Sequence, residues 1–136
     1  MPTRAATLFQ IVYTAVSAFD LTGYELAELE RARSGRLNRL GLTGLLAFIP
    51  RTGEVFEALE GRREIVEEAV AAARREATWT AVAVHYEGLA ERRQFGRWRL
   101  CTTGEEALRA LKLQFDDFGG FAPPVRVIME LAAAHV

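Results

Sequence analysis

Apolar and polar positions alternate along the chain in blocks whose periods change from two to about 3.6 and back. Leu8 to Ala15, LFQIVYTA, is rich in β-branched and aromatic residues and has the length of a strand. Thr22 to Glu25 then forms a capping-box pattern ahead of ELAELERAR, whose Leu26 and Leu29 lie three apart, so a helix is predicted over Leu21 to Arg33. Ser34 and Gly35 should end it, because glycine tolerates the left-handed conformation of a helix end. Leu42 to Ile49 is a continuous apolar run. Pro50 to Gly53 breaks it, and Glu54 to Leu59 alternates, so the two runs read as a hairpin.

A second helix is predicted over Arg62 to Arg75, where Ile65, Val66, Ala69, Val70 and Ala73 make one apolar stripe. Trp79 to Tyr86 reads as a strand, followed by the polar connection GLAERRQ. Arg97 to Thr102 is a further strand, leading into a second capping box from Thr102 to Glu105. The order is therefore βαββαββ followed by helices. Crossovers between parallel strands are right-handed, so both helices should pack on one face of a mixed sheet, in a ferredoxin-like α+β sandwich.

The breaker segment DDFGGFAPP, Asp116 to Pro124, interrupts a tail in which residues 103 to 115 and about 124 to 135 carry apolar positions such as Leu108, Leu111 and Ile128. Residues 1–102 are thus expected to form the body, and residues 103–136 a helical tail packed on the sheet face left bare by the crossover helices. The alternative use of such an apolar surface is a homodimer or protein partner, docked through the sheet face or the C-terminal helices.

Composition narrows the function classes. The chain has 136 residues, one domain's worth, with a formal net charge of -1, so no overall field exists to hold nucleic acid or an anionic membrane surface. No apolar run reaches the roughly 20 residues of a membrane helix, and Cys101 is the only cysteine, which fits a reducing, cytoplasmic setting. His85 and His135 are far apart and no metal-ligand spacing occurs. Nucleophile-elbow, Walker and dinucleotide motifs are missing as well, and the Glu25, Glu28 and Glu30 cluster reads as the wet side of a helix. No enzymatic acid, base or nucleophile set can be named.

A set of segments carries more information. LFQIVYTA, LNRLGLTGLLAF, GEVFEALEG and RRQFGRW, in that order over residues 8 to 100, resemble the BLUF family of flavin-binding blue-light sensors. The resemblance implies a ferredoxin-like sheet with FAD held between the two crossover helices, and a signalling rather than catalytic role. Position by position, it implies that Tyr13 is the tyrosine that exchanges an electron and a proton with the excited ring. Trp98 stands for the family's fifth-strand tryptophan, and Leu100 stands where methionine is usual.

Further positions depart from the family. Glu57 takes the place of the glutamine that bridges tyrosine and flavin, a role suited to an amide because it both donates and accepts. Leu37 falls at the flavin-ring asparagine, with Asn38 one step later. Thr78 and Trp79 replace a basic and histidine pair after the second helix, so Leu37 and Trp79 should add apolar bulk near the ring slot. Glu57 is expected to face that slot and to block ordinary light switching. The second expectation is a flavin-free BLUF-like module for interaction or dimerisation.

Overall fold

Strand β1, Leu8–Ser17, is an interior strand of a five-stranded sheet in the computed structural model of the protein, which describes residues 8–93 and 95–102. Helix α1 spans Gly23–Arg39, β2 Thr43–Phe48, β3 Glu54–Arg62, α2 Arg63–Arg75, β4 Trp79–Ala90 and β5 Trp98–Thr102. The sheet order is β4-β1-β3-β2-β5, antiparallel at every step except the parallel edge pair β2 and β5. This is the ferredoxin-like α+β arrangement read from the pattern, with the βαβ handedness placing both helices over one face.

The capping box forms as expected. Thr22 accepts from the Glu25 N–H on its side chain, and the Glu25 carboxylate accepts from the Thr22 N–H at 2.7 Å, which satisfies two donors that a helix start leaves open. The helix does not stop at Ser34 and Gly35, however, and continues to Arg39. An internal glycine costs about 0.5–1 kcal/mol relative to alanine. The next turn carries Leu37, 2% exposed in the core, and burial of a leucine stabilises by roughly 1.5–3 kcal/mol, so packing outweighs the local stop signal.

Strand β4 likewise outruns its expected end at Tyr86. Glu87 to Ala90 pair with Ile11 to Leu8, and β1 supplies hydrogen-bond partners that the polar composition of this stretch does not announce. Register shifts flank Tyr13 and Thr14 in this pairing, and Ala81 on β4 has a φ of 55°. A bulge of that kind re-aims the strand at a local conformational cost.

The core lies on the helix side of the sheet. Phe9, Ile11, Tyr13, Leu46, Phe48, Val55 and Leu59 point there against Leu37 of α1 and Val66, Val70 and Ala73 of α2. The opposite face buries Val12, Leu45, Ala47, Ile49, Phe56, Ala58 and Phe95. The expected tail over 103–136 and its capping box lie outside the described residues.

Two glycines explain why LTGLL and ALEG occur as a set. A Cβ at Gly44 would sit 2.0 Å from the Ala58 carbonyl oxygen, and one at Gly61 would sit 2.4 Å from Leu42 Cδ2. Strands β2 and β3 approach so closely at Gly44 that only hydrogen fits, while at Gly61 the buried Leu42 side chain fills the space. Gly44 is also the partner of Trp98 across the parallel edge, so no side chain on β2 separates that indole from β3.

Candidate functional site

Glu57 lies on β3 between Tyr13 of β1 and Leu46 of β2, and alternates with Val55 and Leu59 on the helix-covered face. It has no solvent exposure at all. A carboxylate in such a place must be paired, because an isolated buried charge is costly. Arg33 meets it from α1, with Nη2 donating to Oε1 at 2.9 Å and to Oε2 at 2.8 Å. The Tyr13 hydroxyl donates to Oε1, and the Trp98 indole N–H donates to Oε2 at 2.7 Å. The Arg33 guanidinium also stands 5.4 Å from the centroid of the Trp98 ring, a cation–π distance.

Four elements thus contribute one residue each to a closed polar cluster under the helices. Burial, then the negative charge of Glu57, pushes the Tyr13 phenol well above its ordinary range and keeps it protonated. Burial, the largest single influence, would lower the Arg33 guanidinium, but Glu57, Tyr13 and Glu76 together outweigh it and the net shift is upward. The chemistry available to the cluster is therefore charge pairing and proton retention. One donor is left over: Arg33 Nε is buried and has no acceptor among the described residues.

Between them, α1 and α2 line a partly open cavity of about 280 Å³. Its walls are Leu37, Leu40, Ile65, Ala69 and Ala72, with Arg33 on its lining. Exposed Arg36, Glu64 and Glu68 and half-buried Glu76 also line it, with Arg36 facing Glu76 at 4.0 Å, Arg62 facing Glu64 at 4.0 Å and Arg75 facing Glu68 at 2.7 Å.

The expected site residues separate into two groups. Tyr13, Glu57 and Trp98 come together, and Leu37 reaches the cavity between the helices. Asn38 does not. It is exposed and donates to Ser34 Oγ at 3.3 Å, so a one-step shift leaves the amide on the outer side of α1. Leu100 is half buried against the core from β5. Trp79 is buried in the core and is not among the residues lining the cavity, so it closes the end of the sheet instead of filling the slot. Glu30 is also not purely wet-side: its carboxylate accepts the Leu100 N–H at 3.1 Å and ties α1 to β5.

Arg33 is the residue that sequence reasoning missed. The signal was present, since Leu26, Leu29, Arg33 and Leu37 follow at steps of three and four and share one helix face. A second buried carboxylate was missed too. Glu60, on the opposite face of β3, accepts from Thr43 Oγ1 at 2.7 Å, the Phe95 N–H at 2.8 Å and Gln10 Nε2 at 3.1 Å, and so pins the connection into β5.

The sequence pattern of the family described as sensors of blue-light using FAD, BLUF, matches residues 8–101, and the chain belongs to that family. Among solved structures, BlrB, a BLUF protein in its dark state, is 19% identical with a TM-score of 0.71, covering 95% of this chain and 98% of its own. BlrP1 of Klebsiella pneumoniae is 23% identical with a TM-score of 0.66 over 93% of this chain. A bacterial light-regulated adenylyl cyclase is 17% identical with a TM-score of 0.66 over 82% of this chain. The present chain spans 33% of the length of each of the last two. No curated protein sequence matches it. No described helix is long and apolar enough to cross a membrane.

FAD is the cofactor of the family. The residues at the centre of this site do not fit the family's way of holding its ring. An amide at position 57 would offer the flavin edge a donor, whereas a carboxylate only accepts, and both of its oxygens are already engaged by Arg33, Tyr13 and Trp98. Position 37 supplies an apolar side chain. What fits is the apolar space between the helices.

Proposed function

We propose that this chain is a BLUF-family regulatory domain in which the light-driven hydrogen-bond switch is replaced by a fixed ion-pair cluster. The observation that supports this reading is the saturation of both Glu57 oxygens by three donors from three different elements. A switch needs two arrangements of unlike energy. Turning an amide through half a revolution exchanges a donor with an acceptor, but turning a carboxylate exchanges two equivalent oxygens and changes nothing. Arg33 then fixes even that rotation.

A domain of this kind acts through the surfaces it offers to other proteins, so the reading extends to a partner-binding or dimerising module that works without flavin. Its test is spectroscopic. The protein is incubated with excess FAD, separated from free cofactor, and illuminated with blue light while its absorption is recorded. The expected result is no reversible spectral shift. A reversible light-induced shift in the wild-type chain would overturn the proposal.

A further inference from the structure

The chain between β4 and β5 is held by a buried carboxylate that the Glu57 cluster does not use. It passes the ends of β1, β3 and β2 on the face away from the helices, where the Phe95 side chain is buried with Val12, Phe56 and Ala58. Glu60, itself buried, accepts from the Phe95 N–H at 2.8 Å and from Thr43 Oγ1 at 2.7 Å on one oxygen, and from Gln10 on the other. Arg93 Nη1 donates to Thr43 Oγ1 at 2.9 Å, so its guanidinium is joined to the carboxylate through one hydroxyl. A backbone fixed in this way lost its freedom on folding and gives up little more on binding. What it presents is cationic. Arg92, Arg93, Arg97 and Arg99 are all exposed, and none forms an ion pair among the described residues. On the helices, by contrast, Arg31 is matched by Glu28, Arg63 by Glu67 and Arg75 by Glu68. The net charge of -1 for the whole chain therefore conceals a local excess of positive charge at this end of the sheet.

We infer that these four arginines form a docking surface for an acidic segment of a partner protein, with Glu60 and Thr43 as positioning residues. The inference rests on the reading of the chain as a partner-binding module, and it supplies the chemistry of the partner. Guanidinium forks match carboxylates in geometry as well as in charge. Four strand spacings separate β4 from β5, about 19 Å, a distance that roughly six extended residues span. A nucleic acid fits less well, because the exposed carboxylates of Glu87 and Glu91 stand where the chain leaves β4, and a phosphate backbone continuing past the arginines meets like charge. A single small anion fits less well too, since exposed ion pairs contribute little one at a time.

The experiment is a fluorescence anisotropy titration of labelled hexaglutamate with the full chain, at low and at high salt, with hexaglutamine and an oligothymidylate of equal length as comparisons. At low salt hexaglutamate should bind roughly tenfold more tightly than hexaglutamine, and more tightly than the oligonucleotide, and the margin should shrink at high salt. Arg92→Gln combined with Arg97→Gln and Arg99→Gln, all at exposed positions, should weaken hexaglutamate roughly tenfold, at about two- to threefold per exposed pair, and flatten its salt dependence. Thr43→Val should weaken it roughly threefold and leave the salt dependence intact, because the charges remain while the backbone that carries them is looser. A hydroxyl with a merely structural role would change stability and not affinity, so unaltered affinity in Thr43→Val overturns the positioning role. Equal binding of hexaglutamate and hexaglutamine, tighter binding of the oligonucleotide, or unchanged affinity in the arginine variant would each overturn the docking surface, and none of them touches the light response. A light-induced shift sinks the functional reading beneath it instead.

Discussion

A single nitrogen of Arg33, Nη2, serves both carboxylate oxygens of Glu57, at 2.9 and 2.8 Å, with Arg33 5% exposed and Glu57 wholly enclosed. Breaking a buried pair by removing one partner costs about 3–5 kcal/mol, because the other charge is left stranded. Replacing both partners is far milder. Glu57→Gln and Arg33→Met should therefore each lower unfolding stability by about 3 kcal/mol, while the double variant loses at least ~2 kcal/mol less than the sum. Urea unfolding of the four proteins measures the coupling, and additive losses would show that the pair is not energetically joined. Glu57→Gln alone is consequently a poor way to restore a family-like site.

The Tyr13 phenol is raised by burial and by Glu57, so the folded state holds its proton more tightly than the unfolded chain does. The stability this contributes is complete below the unfolded tyrosine value of about 10 and is lost as pH climbs beyond it. Tyr86 is also raised by burial and acts in the same sense. Comparison with Tyr13→Phe isolates the first contribution: the wild-type chain should lose stability more steeply between about pH 9.5 and 11 than the variant, by denaturant midpoint.

Gly44→Ala should destabilise by roughly 3 kcal/mol or more, since the added carbon would lie 2.0 Å from a backbone oxygen that cannot move without disturbing β3. The Trp98 indole, next to Gly44 across the edge pair, should lose its rigid setting in the same variant. Thermal unfolding and the tryptophan fluorescence maximum report the two effects, and an unchanged midpoint would contradict the close approach.

Ala81 adopts a φ of 55°, a left-handed conformation that costs a side-chain-bearing residue about 1–2 kcal/mol. Ala81→Gly relieves the strain while adding freedom to the unfolded chain, for an expected net gain of about 0.5–1 kcal/mol. A lower denaturation midpoint in the glycine variant would show that the bulge is held for another reason.

Most of the frame was legible because periodicity, capping and turn chemistry agree over residues 8–75. Glu57 could be singled out only through the family pattern, since alternation alone allows either face until the register is known; the register puts it on the helix-covered face, though not on the lining of the cavity between the helices. Arg33 was lost for a local reason: ending α1 at Ser34 and Gly35 cut the stripe before Leu37, so an arginine in mid-stripe passed for one at a helix end. The Glu60 cluster joins Gln10, Thr43 and Phe95, which are remote from one another in sequence. Only strand pairing brings them together, and a helix or strand period carries no trace of it.

Strand β3 carries its two buried carboxylates three positions apart, so Glu57 is gripped from above the sheet and Glu60 from below. Mechanically, the strand is a beam clamped on both sides at nearly the same point along its length. Sliding it by one residue would tear both grips at once, and tilting it would stretch one while compressing the other. The grip from above also reaches sideways, since the Trp98 indole donates to Glu57 at 2.7 Å and so ties the edge strand β5 to the same point on β3.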